Sequence, residues 1–246
     1  MCGRYWLNSS PSELAERFGV DVRDNFPPRY NIAPTQPVAL IRQNDMRRRE
    51  YALARWGFIP GWARKEHLQR MGSKPLINAR AETVIEKPTF RSAYKRRRCL
   101  IPANGFYEWK PVREGAQAQN KGGGKQPYAI SREDMALFAF AGIWETATDP
   151  DGGEVDTAAI LTCAAGPDVK SVHSREPVVI APEHYALWLE ADERDLAMLA
   201  DLLAPPPQGT WAMTPVSTAV NSSRHDGPDL IEPLAASGQL FANASR

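Results

Sequence analysis

Apolar residues of this chain recur in runs of strand length. Residues 38–42, 49–56, 99–101, 105–110, 128–131, 136–144, 155–162 and 210–215 are rich in β-branched, aromatic and small apolar residues, with turn-forming or charged residues between them. A lone strand buries nothing well, so runs of this kind must pair into sheets that cover one another. Residues 38–42 and 49–56 read as a hairpin turning through Gln43-Asn44-Asp45. At 246 residues and 43% hydrophobic, the chain can bury the core of one large domain or two small ones. It carries no internal repeat and no clear dividing linker, so the pattern predicts a single α+β domain built on antiparallel sheet with short helices.

The remaining segments fill in around the strands. Residues 3–7 predict a strand that starts beside Cys2. Ser10-Pro11-Ser12-Glu13 has the pattern of a helix start, with a capping Ser, Pro in the first turn and Glu able to reach back, and this helix should stop near Gly19. Residues 24–37 hold four prolines and predict a loop. Residues 56–62 form an aromatic loop, and helices are expected at 81–86, 89–97, 183–189 and 191–203. Pro205-Pro206-Pro207 ends the last of these. Gly122-Gly123-Gly124 marks residues 114–125 as a flexible hairpin insertion. The chain after Pro233 predicts weak order.

Charge and cysteine content narrow the function. A formal net charge of +1 gives no global basic field, so any nucleic-acid contact must come from a local patch. The basic runs Arg47-Arg48-Arg49 and Lys95-Arg96-Arg97-Arg98 read either as flanks of such a groove or as solvated faces. Three scattered cysteines, Cys2, Cys99 and Cys163, suit neither a disulfide framework nor a zinc site. Cys99 and Cys163 read as reduced core residues, which points to a reducing intracellular compartment. No apolar run approaches the ~20 residues of a membrane span, and the opening residues do not form a signal peptide. No metal or cofactor is expected.

Met1-Cys2-Gly3-Arg4 carries the strongest chemical signal. Removal of Met1 would leave Cys2 with a free amine and a thiol on one residue. Such a 1,2-aminothiol condenses with an aldehyde to a Schiff base, which the thiol closes to a thiazolidine. With an α-amine pKa near ~7.8, roughly a tenth of the amine is neutral at pH 7. The bland alternative is an ordinary second residue. Beside Cys2, four segments stand out: Asn78-Ala79-Arg80-Ala81-Glu82, Gly105-Phe106-Tyr107-Glu108-Trp109-Lys110, Val172-His173-Ser174-Arg175, and Pro34 with Trp62 and its neighbours.

Taken in order, Met-Cys-Gly-Arg, Asn31-Ile-Ala-Pro34, Trp56-Gly-Phe-Ile-Pro-Gly-Trp62, Asn78-Ala-Arg80-Ala-Glu82, Gly105-Phe-Tyr-Glu108-Trp109-Lys110 and His173-Ser-Arg175 resemble the SOS response-associated peptidase (SRAP) family. The resemblance spans residues 2–235, leaving 236–246 as a weakly ordered tail. It implies a curved, barrel-like core of mainly antiparallel strands with short flanking helices. It also implies that the protein shields abasic sites in single-stranded DNA, including single-strand/duplex junctions, as a monomer with no membrane partner, in the cytoplasm on the DNA. Cys2 would then crosslink to the ring-opened sugar aldehyde. A lone amine there invites β-elimination and strand cleavage; the thiol intercepts the iminium, aided by high effective molarity.

The other roles follow from the same resemblance. Glu108 would be the acid/base, and His173 would protonate the sugar ring oxygen. Asn78 would contact the modified sugar. Arg4, Arg80 and Arg175 would hold phosphates, and Pro34 and Trp62 would form a wedge or stacking platform. The ordinary readings are an outward strand carboxylate for Glu108, a structural histidine for His173, a turn residue for Asn78, a salt bridge to Glu82 or Glu86 for Arg80, and a core position for Trp62.

The chain departs from the family pattern at Thr162-Cys163-Ala164-Ala165-Gly166, at Ala63 after Trp62, and at Glu176. The last would weaken a phosphate contact made by Arg175. Two other functions compete. One is an N-terminal-nucleophile hydrolase such as a glutamine amidase, or a peptidase that removes only the residue before Cys2. The other is a non-covalent single-strand binder with an incidental cysteine.

Overall fold

The strand-length runs pair into a closed ring. The computed structural model describes residues 2–22, 26–64, 75–112, 124–148 and 152–234. In chain order these hold β1 (Tyr5–Leu7), β2 (Arg29–Ile32), β3 (Pro37–Gln43), β4 (Arg49–Trp56), β5 (Asn78–Arg80), β6 (Arg98–Ala103), β7 (Gly105–Pro111), β8 (Lys125–Arg132), β9 (Phe138–Thr148), β10 (Glu154–Ala164), β11 (Arg175–Pro177), β12 (Val179–Ile180) and β13 (Trp211–Pro215). The helices are α1 (Pro11–Phe18), α2 (Arg91–Arg96) and α3 (Tyr185–Glu190).

The β3–β4 hairpin forms as the pattern predicts, from Pro37 opposite Arg55 to Gln43 opposite Arg49. Its turn is held by Asn44, whose Oδ1 accepts from the amides of Met46 and Arg48 at 3.0 Å each. From there β3 pairs with β6, β6 with β9, and β9 with β10, all antiparallel. A parallel pairing of β10 with β4, Thr157 opposite Arg55, closes a five-stranded barrel. Closure removes the unpaired edges that an open sheet of this composition would expose. Past that point β10 runs out of the barrel, with β5 parallel on one edge and β11 antiparallel on the other, and Thr162 lies opposite Arg80 and Pro177 at once. This projecting stretch positions much of the candidate site.

A second, antiparallel sheet, in the order β13-β8-β7-β1-β2, packs on the barrel. On its inner face, Tyr5 meets Trp56 and Phe140 edge-on at 5.4 and 5.7 Å. Its outer face presents Trp6, Tyr107 and Ala129, which are covered by Val216, Val220 and Leu230 of the C-terminal strap, residues 216–234. Gly105 sits between the layers: a Cβ there would lie 2.1 Å from the Trp6 ring and 2.7 Å from the Ile130 carbonyl. Only glycine allows this approach.

The helix at α1 forms as expected. Ser10 Oγ accepts from the Glu13 amide at 3.3 Å, the Glu13 carboxylate accepts from the Ser10 amide at 2.6 Å, and Gly19 closes the helix at φ 65°. Elsewhere local pattern misleads. Residues 24–37 contain β2, recruited by pairing with β1. Residues 81–86 form hydrogen-bonded turns rather than a helix, with the Thr83 amide donating to Arg80 O and the Glu86 amide to Thr83 O. Residues 191–203 break into 3₁₀ turns at Leu196–Leu199 and Asp201–Leu203, because Asp192 and Asp195 accept backbone N–H groups locally in place of helix continuation. The β7–β8 hairpin pairs up to Pro111 opposite Lys125. The insertion it carries lies largely outside the described residues, as do the glycines Gly122 and Gly123 and the tail 236–246.

The run Lys95-Arg96-Arg97-Arg98 is not one solvated face. Arg98 is buried, and its guanidinium donates to the carbonyls of Trp188, Tyr94, Lys95 and Ala191. It thereby satisfies the unpaired carbonyls at the ends of α2 and α3.

Candidate functional site

Three of the expected residues are brought together where the two sheets meet. Cys2 is fully buried, immediately before β1. Asn78, at the start of β5, donates from Nδ2 to the Cys2 carbonyl at 2.8 Å, although 76 residues separate them. The Asn78 Oδ1 is buried and has no hydrogen-bond partner among the described residues. It is an acceptor next to the cysteine backbone.

Glu108 reaches the same corner through strand alternation. On β7, Phe106 and Glu108 share one face, and Tyr107 lies on the other. Phe106 packs against Phe140 of the barrel, while Tyr107 packs against Trp6 of the outer layer. Glu108 is therefore turned inward and is 3% exposed, which rules out the outward-carboxylate reading. The Tyr107 amide donates to Arg4 O at 2.9 Å and ties β7 to the cysteine segment. Burial pushes the Cys2 thiol well above its ordinary range, and the charge of Glu108 adds to that rise. At rest the sulfur is a protonated thiol.

The projecting end of β10 organises the next group. Asn78 and Arg80 are alternate residues of β5, with buried Ala79 between them, and Arg80 is exposed. Across β10, Arg175 opens β11. Its Nε and Nη2 donate to Thr162 Oγ1 at 3.3 and 3.2 Å. Its two terminal nitrogens form a forked pair with both Glu82 oxygens at 2.9 Å each. Glu82 thus pairs with Arg175, not with Arg80. Arg175 and, less strongly, Arg80 hold the Glu82 carboxyl below the usual carboxylate range.

Glu176 is not beside this fork. It is buried on the opposite side of the strand and accepts from the Gly166 amide at 3.1 Å. Burial raises its pKa, and with its charge nearby the buried Cys163 thiol is pushed up to about 12, chiefly by its own burial.

His173 stands two residues before β11. Its Nδ1 lies 3.0 Å from both the amide nitrogen and the carbonyl oxygen of Arg175. Pro34 lies in the tight turn after β2. There Thr35 adopts φ 73°, and its amide donates to Trp56 O at 2.7 Å. Trp62 is 52% exposed, so it is not a core residue, and its indole N–H reaches Pro88 O at 3.4 Å.

Arg4 turns the other way, toward the strap. Its Nη1 donates to Asn31 Oδ1 and Val220 O at 2.7 Å each, and its guanidinium lies 6.0 Å from the Trp109 ring. Sequence reasoning missed this clamp. The Asn31 Nδ2 donates onward to the carbonyls of Val220, Ser222 and His225. The only local signal was a polar residue amid the apolar residues of β2. All three cysteines are free thiols and buried. Among the described residues no group of three or more His, Cys, Asp or Glu side chains could hold a metal, and no helix is long and apolar enough to cross a membrane.

Comparison with known proteins matches this chain to one family. The model of the SOS response associated peptidase (SRAP) family matches residues 1–223. The chain is 37% identical over 235 residues to the abasic site processing protein YoqW of Bacillus subtilis, covering 94% of this chain and 99% of that one. It is 29% identical over 243 residues to the abasic site processing protein YedK of Escherichia coli, covering 95% and 100%. Among solved structures, a protein from Bordetella bronchiseptica superposes with a TM-score of 0.73 at 27% identity, over 88% of this chain and 100% of that one. One from Bacteroides thetaiotaomicron gives 0.77 at 24%, over 95% and 100%, a likeness of fold.

Proposed function

Since this chain belongs to the SRAP family, we propose that it processes abasic sites in DNA by forming a covalent crosslink through Cys2. The observation that carries this reading is the corner itself: a buried Cys2 whose carbonyl is gripped by Asn78 and whose thiol feels the charge of Glu108.

Chemistry sets the order of steps. Once Met1 is removed, the Cys2 nitrogen is an amine. The thiol is held as S–H by burial, so the amine attacks first. It adds to the C1′ aldehyde of the ring-opened deoxyribose, and Glu108 relays the proton given up by the Cys2 ammonium to the carbinolamine hydroxyl, which leaves as water to give an iminium. The sulfur then bonds to the same carbon and passes its proton to Glu108, while the iminium electron pair returns to nitrogen. The products are a thiazolidine and one water, with no redox change. Glu108 serves as the acid/base for both proton movements. The Asn78 Oδ1 accepts from the new N–H or a sugar hydroxyl, and the His173 ring donates a proton to the sugar ring oxygen during opening. Arg80 and Arg175 take neighbouring phosphates, while Arg4 is held by Asn31 and Val220 instead, and Pro34 and the exposed Trp62 stack against a sharply bent strand. The substrate is single-stranded DNA or a single-strand/duplex junction, bound by a monomer inside the cell.

The test is a denaturing gel of the protein with a single-stranded oligonucleotide carrying one abasic site. Wild type is expected to give a shifted, denaturation-resistant band, and Cys2→Ala none. No band from wild type whose Met1 is absent by mass spectrometry would sink the crosslinking reading, and glutamine hydrolysis by the same sample would replace it.

A further inference from the structure

The forked pair of Glu82 with Arg175 has a front and a back. Behind the guanidinium is Thr162 of β10, a fixed strand residue that takes Nε and Nη2 through its hydroxyl. In front is Glu82, on the turn that follows β5, with 49% of its side chain exposed against 16% for Arg175. A carboxylate offers the same two-oxygen edge to an arginine fork as a phosphate does. Glu82 also lies within the electrostatic reach of Arg80, so one acidic side chain offsets two cations on the open side of the β5–β10–β11 rim.

We propose that Glu82 is an internal stand-in for a DNA phosphate: it occupies the Arg175 fork in the free protein and is displaced when a phosphodiester binds. Thr162 keeps the guanidinium in place during the exchange, so the fork is already oriented when the phosphate arrives. Glu82 thereby sets a threshold against binding intact strands non-specifically, since any phosphate must compete with a tethered carboxylate at high effective concentration. The role rests on the DNA reading given above and deepens it at one position.

Equilibrium binding of intact single-stranded DNA, without an abasic site, is measured across a salt series for wild type, Glu82→Gln, Glu86→Gln and the double variant Glu82→Gln/Arg175→Ala. Glu86→Gln removes the same charge from the same turn without touching Arg175. Each phosphate neutralised on a single strand contributes about 0.7 to the slope of log K against log salt. Glu82→Gln is expected to bind several-fold tighter with an unchanged slope, because Arg175 takes one phosphate in both proteins. Glu86→Gln should show no such gain, and the double variant should lose the gain together with about 0.7 of the slope.

Weaker binding by Glu82→Gln would overturn the proposal and make Glu82 a positioning residue for Arg175. Equal gains in Glu82→Gln and Glu86→Gln would overturn it as an effect of net charge alone. A wild type that binds no DNA at any salt concentration would instead overturn the functional reading beneath it.

Discussion

Arg98 and Arg175 each open a strand and each have a fully engaged guanidinium, yet they belong to different kinds of structure. Arg98 is buried against four backbone carbonyls that belong to the ends of two helices. Those partners are neutral and fixed, and nothing from solvent can replace the arginine without leaving them unpaired. Arg175 shares its fork with an exposed carboxylate on a turn. That partner is well hydrated when it leaves, so the pair costs little to open. Engagement alone therefore does not separate a structural arginine from a binding one; the exposure and chemistry of the partner do.

The comparison breaks most readily at Arg98. Arg98→Met should cost about 3 kcal/mol, because several buried carbonyls lose their donor. For a domain of this size that is a fall in Tm of roughly 6–12 °C, read by thermal unfolding. A loss under about 1 kcal/mol would erase the distinction.

Arg175→Ala sharpens it from the other side. Stability should change by no more than about 1 kcal/mol, while the salt slope for single-stranded DNA falls by about 0.7. A Tm drop matching that of Arg98→Met would make both arginines structural.

The smallest effect is the pH dependence of the Glu82–Arg175 pair. The hydrogen bonds from Arg175 hold the Glu82 carboxyl below its ordinary value, so the folded state favours its charged form. That stabilisation is present above the unfolded carboxylate pKa of about 4.3 and is lost as pH falls through the depressed folded value. With Glu82 half exposed, it amounts to a few tenths of a kcal/mol. The Tm difference between wild type and Glu82→Gln should shrink from pH 7 to pH 3. A difference that holds constant across that range would show that the pair contributes nothing to stability.

How much of this was legible depended on the range of the interaction concerned. The α1 cap and the β3–β4 hairpin follow from spacings of a few residues, so Ser10 and Asn44 could be read locally; the local reading of Glu108 was an outward strand carboxylate, and its burial came from the packing of β7 on the barrel. Barrel closure could not, because the parallel pairing of β10 with β4 joins residues about a hundred positions apart and leaves no mark on either strand. The family resemblance supplied the barrel where periodicity gave only strands. At the site, Cys2, Asn78 and Glu108 do share one corner. The effect of Glu176 on Arg175 was misjudged because Glu176 points to the opposite face, whereas the carboxylate that meets Arg175, Glu82, arrives from a turn 93 residues away. Strand alternation alone would have warned against Glu176.

The clamp between Arg4, Asn31 and Val220 also orders events in time. Arg4 and Val220 are 216 residues apart, so at ~5–20 residues per second a ribosome needs roughly 10–40 s between making one and making the other. During that interval the segment around Cys2 has no strap to dock against. Afterward Arg4, two residues on from Cys2, is held by the Val220 carbonyl. The segment that carries Cys2 therefore takes its final hydrogen bonds only when the residues around Val220 have been made.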